Sequence, residues 1–468
     1  MIVSSIYFWS LLLTVSLITA WIVLTDKRID SYEHHLVYSG KADVFTLASS
    51  ILATCIGGGT SIGLVAFGYE SGTAGMVVFG ATMIGFMVVG LLAKRIIAFR
   101  KRLKILTLPQ FLGDYYCGVG QNRFHFRELV AGVNLVLFFC VLAVQFVGMA
   151  TLLNRFFNVS YLPALLFTSV LTITYTTYGG VSGVYRTDKL QMVFITVFVV
   201  LLLGKALPEF NSTMETIKNT DIAMLKGTKL GMTFIIGAVL FGWLIALARI
   251  DNWQRILSAQ NAKTASRAFY LSALLLPVYL VVFVYVGLVV WSKNPDLNPN
   301  DATFYYLKNY FSKASLYLCL VGLMSTIISS VDSFLNITSI TLVNDILPYT
   351  SVFKTLQINR IRLLRKTTVL CGVLAVIFSL VFSNIVQLVV VSLTGVVIFT
   401  PSILAALFGK KVNFAAAYSS TVVGTVVFLL VFCLSTLGVI RLSAEAAFVP
   451  AFFSSLLVFV AVRFRYGW

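Results

Sequence analysis

Thirteen stretches of this 468-residue chain are charge-poor and about as long as a helix must be, roughly 17–25 residues, to cross a lipid bilayer. They fall near 3–25, 43–69, 73–93, 128–153, 160–177, 188–207, 230–250, 268–292, 314–343, 367–383, 385–408, 413–438 and 445–462. Hydrocarbon offers no water to satisfy backbone N–H and C=O groups, so segments of this kind must bond internally, as helices. With 59% hydrophobic and 11% charged residues and a mean hydropathy of +0.94, the chain lies outside the range of soluble globular proteins. The expected fold class is an all-α polytopic membrane protein.

An odd number of spans puts the termini on opposite sides, and basic residues decide which is which. With the N-terminus outside and the C-terminus cytoplasmic, most of the 35 Lys and Arg residues collect on inner loops, including Lys94, Arg95, Arg100, Lys101, Arg102, Lys104, Arg360, Arg362, Arg365 and Lys366. The net charge of +18 then reflects this asymmetry and attraction to anionic lipid. No basic, aromatic-interleaved soluble domain offers a nucleic-acid surface. The first apolar run has no basic region before it and no small-residue cleavage site after it, so it reads as a retained helix. The six cysteines are scattered without metal-ligand spacing and read as packing residues. His34, His35 and His125 fall in inner loops, where solvated side chains are expected.

Polar residues inside an apolar span need partners, and the segment from Gly322 to Asp345 holds several. Thr326, Ser329, Ser330 and Ser333 share one helical face, and Asp332 lies one turn on from Ser329. Convergent hard oxygens at membrane depth suit a small hard cation. The competing reading has each hydroxyl bonding back to a carbonyl one turn earlier, or joining two helices.

Two spans are interrupted. Gly57-Gly58-Gly59, followed by Thr60 and Ser61, weakens a helix by about 1 kcal/mol per glycine and lets the carbonyls before it turn toward an ion or solute, although small residues also serve close helix packing. The seventh span runs into Ala248-Arg249-Ile250-Asp251-Asn252-Trp253-Gln254-Arg255, where charge arrives before the helix has left the membrane. Counted from the glycine-broken span it is the sixth helix, the mate of the first if two five-helix halves form an inverted repeat.

Four segments, residues 50–72 (SILATCIGGGTSIGLVAFGYESG), 107–116 (TLPQFLGDYY), 178–191 (YGGVSGVYRTDKLQ) with 254–268, and 329–346 (SSVDSFLNITSITLVNDI), resemble the sodium:solute symporter family over residues 40 to 410. The resemblance implies a LeuT-like five-plus-five inverted repeat and a bacterial inner-membrane location. The division that follows is an extra N-terminal helix and first loop in 1–42, a ten-helix transport core in 43–409, and two further helices with a short tail in 410–468. It also implies sodium as the co-transported ion, held by the carbonyls of Ala53 and Ile56 and by Thr326, Ser329 and Ser330; an alternative register would use Gly322, Ser325 and Thr326. Some members hold a second cation, for which Asp188, Asp332 and Ser333 match together with Ser329. Asp188 has an equally weighted reading as a cap where a helix starts at Thr187-Asp188.

In such a fold the solute sits between the broken helices, so Gly58, Gly59, Thr60 and residues near Arg249 border it. Arg249 could hold a substrate carboxylate, against a reading as an arginine snorkelling to the cytoplasmic interface. The family's sugar-transporting branch carries a glutamate on the second core helix, and residues 76–82 contain no acid, which disfavours a sugar. The expected function is sodium-coupled import of a small organic solute, an amino acid such as proline or a small carboxylate, by alternating access. The alternatives are proton coupling and a solute sensor built on a symporter-like core. No nucleophile–base pair, metal cluster or phosphate-binding loop suggests an enzyme.

Overall fold

Two pairs of helices in this molecule are bent sharply at short breaks. The structure, a computed structural model, describes Ser10, Leu13, Leu17, Lys229 and residues 32–227, 231–349, 359–381, 385–409 and 413–465. Among the described residues nine helices are long and apolar enough to cross a bilayer, or up to eleven when each of two bent pairs counts as one span. The expected span 3–25 lies outside the described residues apart from Ser10, Leu13 and Leu17.

The first bent pair is α1 (Val44–Cys55) and α2 (Gly58–Gly75), which meet at 56°. Then come α3 (Met76–Leu103), α4 (Phe126–Phe157) and α5 (Tyr161–Ala206). The second bent pair, α6 (Gly231–Ala248) and α7 (Ile250–Ser258), meets at 53°. Four more elements lead toward the C-terminal end: α8 (Ala262–Lys293), α9 (Lys313–Thr341), α10 (Arg360–Val381) and α11 (Val390–Phe408). Last are α12 (Phe414–Thr436) and α13 (Phe448–Arg465), packed on each other.

Runs 160–177 and 188–207 fall on either side of a kink in α5, whose backbone turns at Gly180 with φ 53° and ψ −161°, a conformation essentially reserved for glycine. A Cβ at Gly180 would press into the imidazole of His35, which belongs to the short helix Tyr32–Val37 lying against α5. This contact corrects the reading of His34 and His35 as solvated: they are 9% and 3% exposed. His125 is exposed, as expected, and pairs with Glu128 at 3.0 Å.

Small residues set the helix crossings. Gly242 and Ala246 of α6 meet Ala81 and Gly85 of α3, and Gly287 of α8 lies against the backbone of α2 at Val65 and Gly68. Between lipid-solvated helices burial supplies little drive, so close backbone approach of this kind supplies much of the attraction. The result puts α9 against α5, α4 and α1, with its polar face inward at the first break.

Candidate functional site at the helix breaks

A broken helix frees carbonyls on one side and N–H groups on the other, and each must find a partner inside the protein. At the first break the partners come mainly from α9. Ser329 donates to the carbonyl of Ala53 at 2.9 Å and Ser330 donates to that of Thr54 at 3.1 Å. Thr60, past the break, donates back to Cys55 O at 2.6 Å. Ile56 is fully buried where α1 ends. On the N–H side, Gly58 donates to Oε1 of Gln145 on α4 at 2.9 Å. A Cβ on Gly57 would strike the Ser330 hydroxyl, so the glycine run serves both the break and close packing.

The hydroxyls of α9 bond in two directions. Ser329 and Ser330 also reach the carbonyl of Thr326, at 2.9 and 3.3 Å, while Thr326 itself donates to Leu323 O and touches the Ser61 hydroxyl at 3.0 Å. Three carbonyls, those of Ala53, Thr54 and Thr326, and the hydroxyls of Ser329 and Ser330 therefore meet in one fully buried place. In the alternative register, Gly322 faces Phe194 and Phe198 of α5, and Ser325 bonds back to Val321 O.

A second polar group lies one turn along α9. Oδ2 of Asp332 accepts from Tyr175 at 3.1 Å and from Thr187 at 3.2 Å, while Ser333 meets the Thr54 hydroxyl at 2.9 Å. Asp188 is fully buried on α5, and both its oxygens, with Oδ1 of Asp332, have no hydrogen-bond partner among the described residues. It does not start a helix: α5 continues through it from the turn at Gly180 to Ala206, so the capping reading fails.

At the second break, Asn252 donates to Ala246 O at 2.7 Å and the indole of Trp253 to Leu247 O at 2.8 Å, which satisfies the last carbonyls of α6. Arg249 stands at the break itself, where it closes on Asp251 through two bonds of 2.9 and 2.7 Å. It is not a cation without a partner, and its side chain is 14% exposed. Arg255 of α7 donates to Ser50 O and to the hydroxyl of Thr54 on α1, so the two broken pairs lie against each other. The far ends of α1 and α7 are tied as well, by Ala42 N to Ser258 O at 3.0 Å and Gln260 N to Ala42 O at 3.1 Å.

Sequence reasoning did not find Gln145, Thr54, Tyr175, Thr187, Asp251 or Arg255. Gln145 had a signal, as one of two amides with Asn134 inside the apolar run 128–153, and Asp251 stood two residues from Arg249 in the interrupted segment.

The model of the sodium:solute symporter family matches residues 37–424. The chain is 29% identical to the sodium/proline symporter of Escherichia coli over 142 residues, and spans about a quarter of that protein's length (27%). It is 24% identical to the sodium/pantothenate symporter of E. coli over 438 residues, covering 90% of this chain and 88% of that one. It is 22% identical to the sodium/sialic acid symporter of Aliivibrio fischeri, over 76% of this chain and 73% of the other. Among solved structures, an outward-open Na+-coupled sialic acid symporter superposes with a TM-score of 0.79 at 17% identity, over 97% of both chains. The nucleobase-cation-symport-1 transporter MHP1 superposes with a TM-score of 0.59 at 14% identity, over 92% of this chain and 94% of that one.

Proposed function

This chain belongs to the sodium:solute symporter family and has its LeuT-like fold, and from that premise we propose that it imports a small organic solute together with sodium by alternating access. One observation carries the reading: at the first break, the hydroxyls of Ser329 and Ser330 meet the carbonyls of Ala53 and Thr54. Hard, uncharged oxygens converging from two helices suit sodium, and an ion shared by α1 and α9 would fasten a movable half-helix to a continuous one. The principal ligands are the carbonyls of Ala53 and Ile56 and the groups of Thr326, Ser329 and Ser330. Asp188, Asp332 and Ser333 form a second cation position, supported by their burial and unpartnered carboxylate oxygens.

Gly58, Gly59 and Thr60 border the solute, with Arg249 across from them. The bond to Asp251 largely neutralises Arg249, which favours a compact zwitterion such as proline, or a small carboxylate able to share the guanidinium, over a sugar. One sodium ion moving down a combined driving force of 100 mV supplies about 2.3 kcal/mol, enough for a roughly fifty-fold solute gradient. The ten helices of 43–409 are the transport core, flanked by 1–42 and 410–468. The protein sits in a bacterial inner membrane with its N-terminus outside and its C-terminus cytoplasmic, as the basic loops favour.

The test is a thermal-shift screen of purified protein in sodium or potassium across amino acids, carboxylates, sugars and vitamins, followed by uptake of the best solute into proteoliposomes. Sodium-specific stabilisation that deepens with one solute, and sodium-driven uptake of it, are expected. Identical behaviour in sodium and potassium throughout would overturn the reading.

A further inference from the structure

Arg255 on α7 is a cation buried to 3% exposure at the edge of the second polar group. Its Nη2 donates to the hydroxyl of Thr54 at 2.5 Å, to Ser50 O at 3.3 Å and to the hydroxyl of Ser333 at 3.5 Å; Nη1 donates to Asp251 O at 3.0 Å. The nearest carboxylate oxygen, Oδ2 of Asp251, is 3.6 Å away and is already bonded by Arg249 at 2.7 Å. One carboxylate thus serves two guanidinium groups. A guanidinium does not lose its proton in a protein, so this half of the cluster keeps an excess positive charge. Across from it, Asp188 and Asp332 keep three carboxylate oxygens without a hydrogen-bond partner among the described residues. Buried charges at membrane depth are sustained only by each other or by a bound ion.

We propose that Arg255 is a tethered cation that competes with a second sodium ion for the Asp188–Asp332–Ser333 position. Ser333 is shared between Arg255 and that position, and Thr54 bonds both. While the guanidinium is seated on Thr54 and Ser333, like-charge repulsion and the engaged hydroxyls keep a second ion out, and the protein binds one sodium. The inference rests on the sodium-symport reading and names the residue that sets its stoichiometry. Arg255 acts through Thr54 and Ser333, and so is a positioning residue.

The experiment counts ions directly, by equilibrium binding of radioactive sodium to the purified full chain without solute, against a potassium control. The wild type is expected to bind one sodium, and Ser329→Ala to bind the same one with an affinity about five- to thirty-fold weaker. Arg255→Gln, which keeps donors and removes charge, is expected to bind two, and Arg255→Lys one. Adding Asp188→Asn to Arg255→Gln should return the count to one. Thr54→Val, which unseats the guanidinium without touching its charge, gives an independent route and should expose a weaker second site. A wild type that binds two ions overturns the proposal, as does an unchanged count of one in both Arg255→Gln and Thr54→Val. If Arg255→Gln does not fold, Thr54→Val decides alone. A wild type that binds no sodium would instead remove the symport reading beneath it.

Discussion

The hydroxyl of Ser330 occupies the space that a Cβ on Gly57 would need, so the first residue of the glycine run and the polar face of α9 were fitted to each other. Gly57→Ala must push Ser330 away from the carbonyl of Thr54 or displace α1. The expected outcome is loss of solute uptake with normal membrane insertion. Gly58→Leu should behave alike, because a side chain there meets Gln145 and Ile327. Wild-type uptake in both variants would show that close contact at the break is dispensable.

Removing a hydroxyl from α9 tests the ion reading. Ser329→Ala deletes the donor to Ala53 O, and Ser330→Ala the donor to Thr54 O. Each is expected to raise the sodium concentration for half-maximal uptake by about five- to thirty-fold, corresponding to one or two kcal/mol of lost ligation. The maximal rate at saturating sodium should change less. Sodium titrations identical to wild type in both would take these hydroxyls out of the site.

Gln145 is the partner of the Gly58 N–H. Gln145→Leu leaves that N–H buried without an acceptor, at a cost of about 1–3 kcal/mol. A melting temperature lowered by several degrees, with weaker sodium-dependent stabilisation, is the expected result. A variant as stable as wild type with an unchanged sodium response would mean that Gly58 finds another acceptor.

What could be read in the sequence was what polar chemistry in an apolar setting forces into view. Ser329, Ser330 and Asp332 had to be explained because they stand in a membrane-length span, and three consecutive glycines had to be explained because helices avoid them. Pairings across the fold were out of reach, because spacing along one helix says nothing about which other helix comes to face it. Asp332 with Tyr175 and Thr187, and Ser333 with Thr54 and Arg255, bring together residues 78 to 279 positions apart. Arg249 shows a more local failure. Positions i and i+2 do not face each other on an intact helix, and only the break, where Arg249 is extended with φ −67° and ψ 121°, brings its guanidinium onto Asp251. His35 was misjudged for a related reason: a loop histidine is solvated unless a neighbour covers it, and the covering element here is the glycine turn at Gly180.

That burial makes His35 a source of acid sensitivity. Burial first, then the charges of Arg365 and His34, push its imidazole down from the ordinary 6.5 to about 4. Folded protein therefore keeps His35 neutral over a window in which the unfolded chain takes up a proton. Between those two values the unfolded state binds more protons, so stability increases with pH there: it is fully present above 6.5 and falls away as the pH drops toward 4. The loss is at most about 1.4 kcal/mol for each pH unit crossed. His35→Gln, which fills similar space without titrating, is expected to melt with a shallower dependence on pH than wild type between about pH 7 and about pH 5. Equal slopes for the two proteins would mean that His35 is protonated as easily in the folded state as in the unfolded chain, and that the pocket under Gly180 admits the charge.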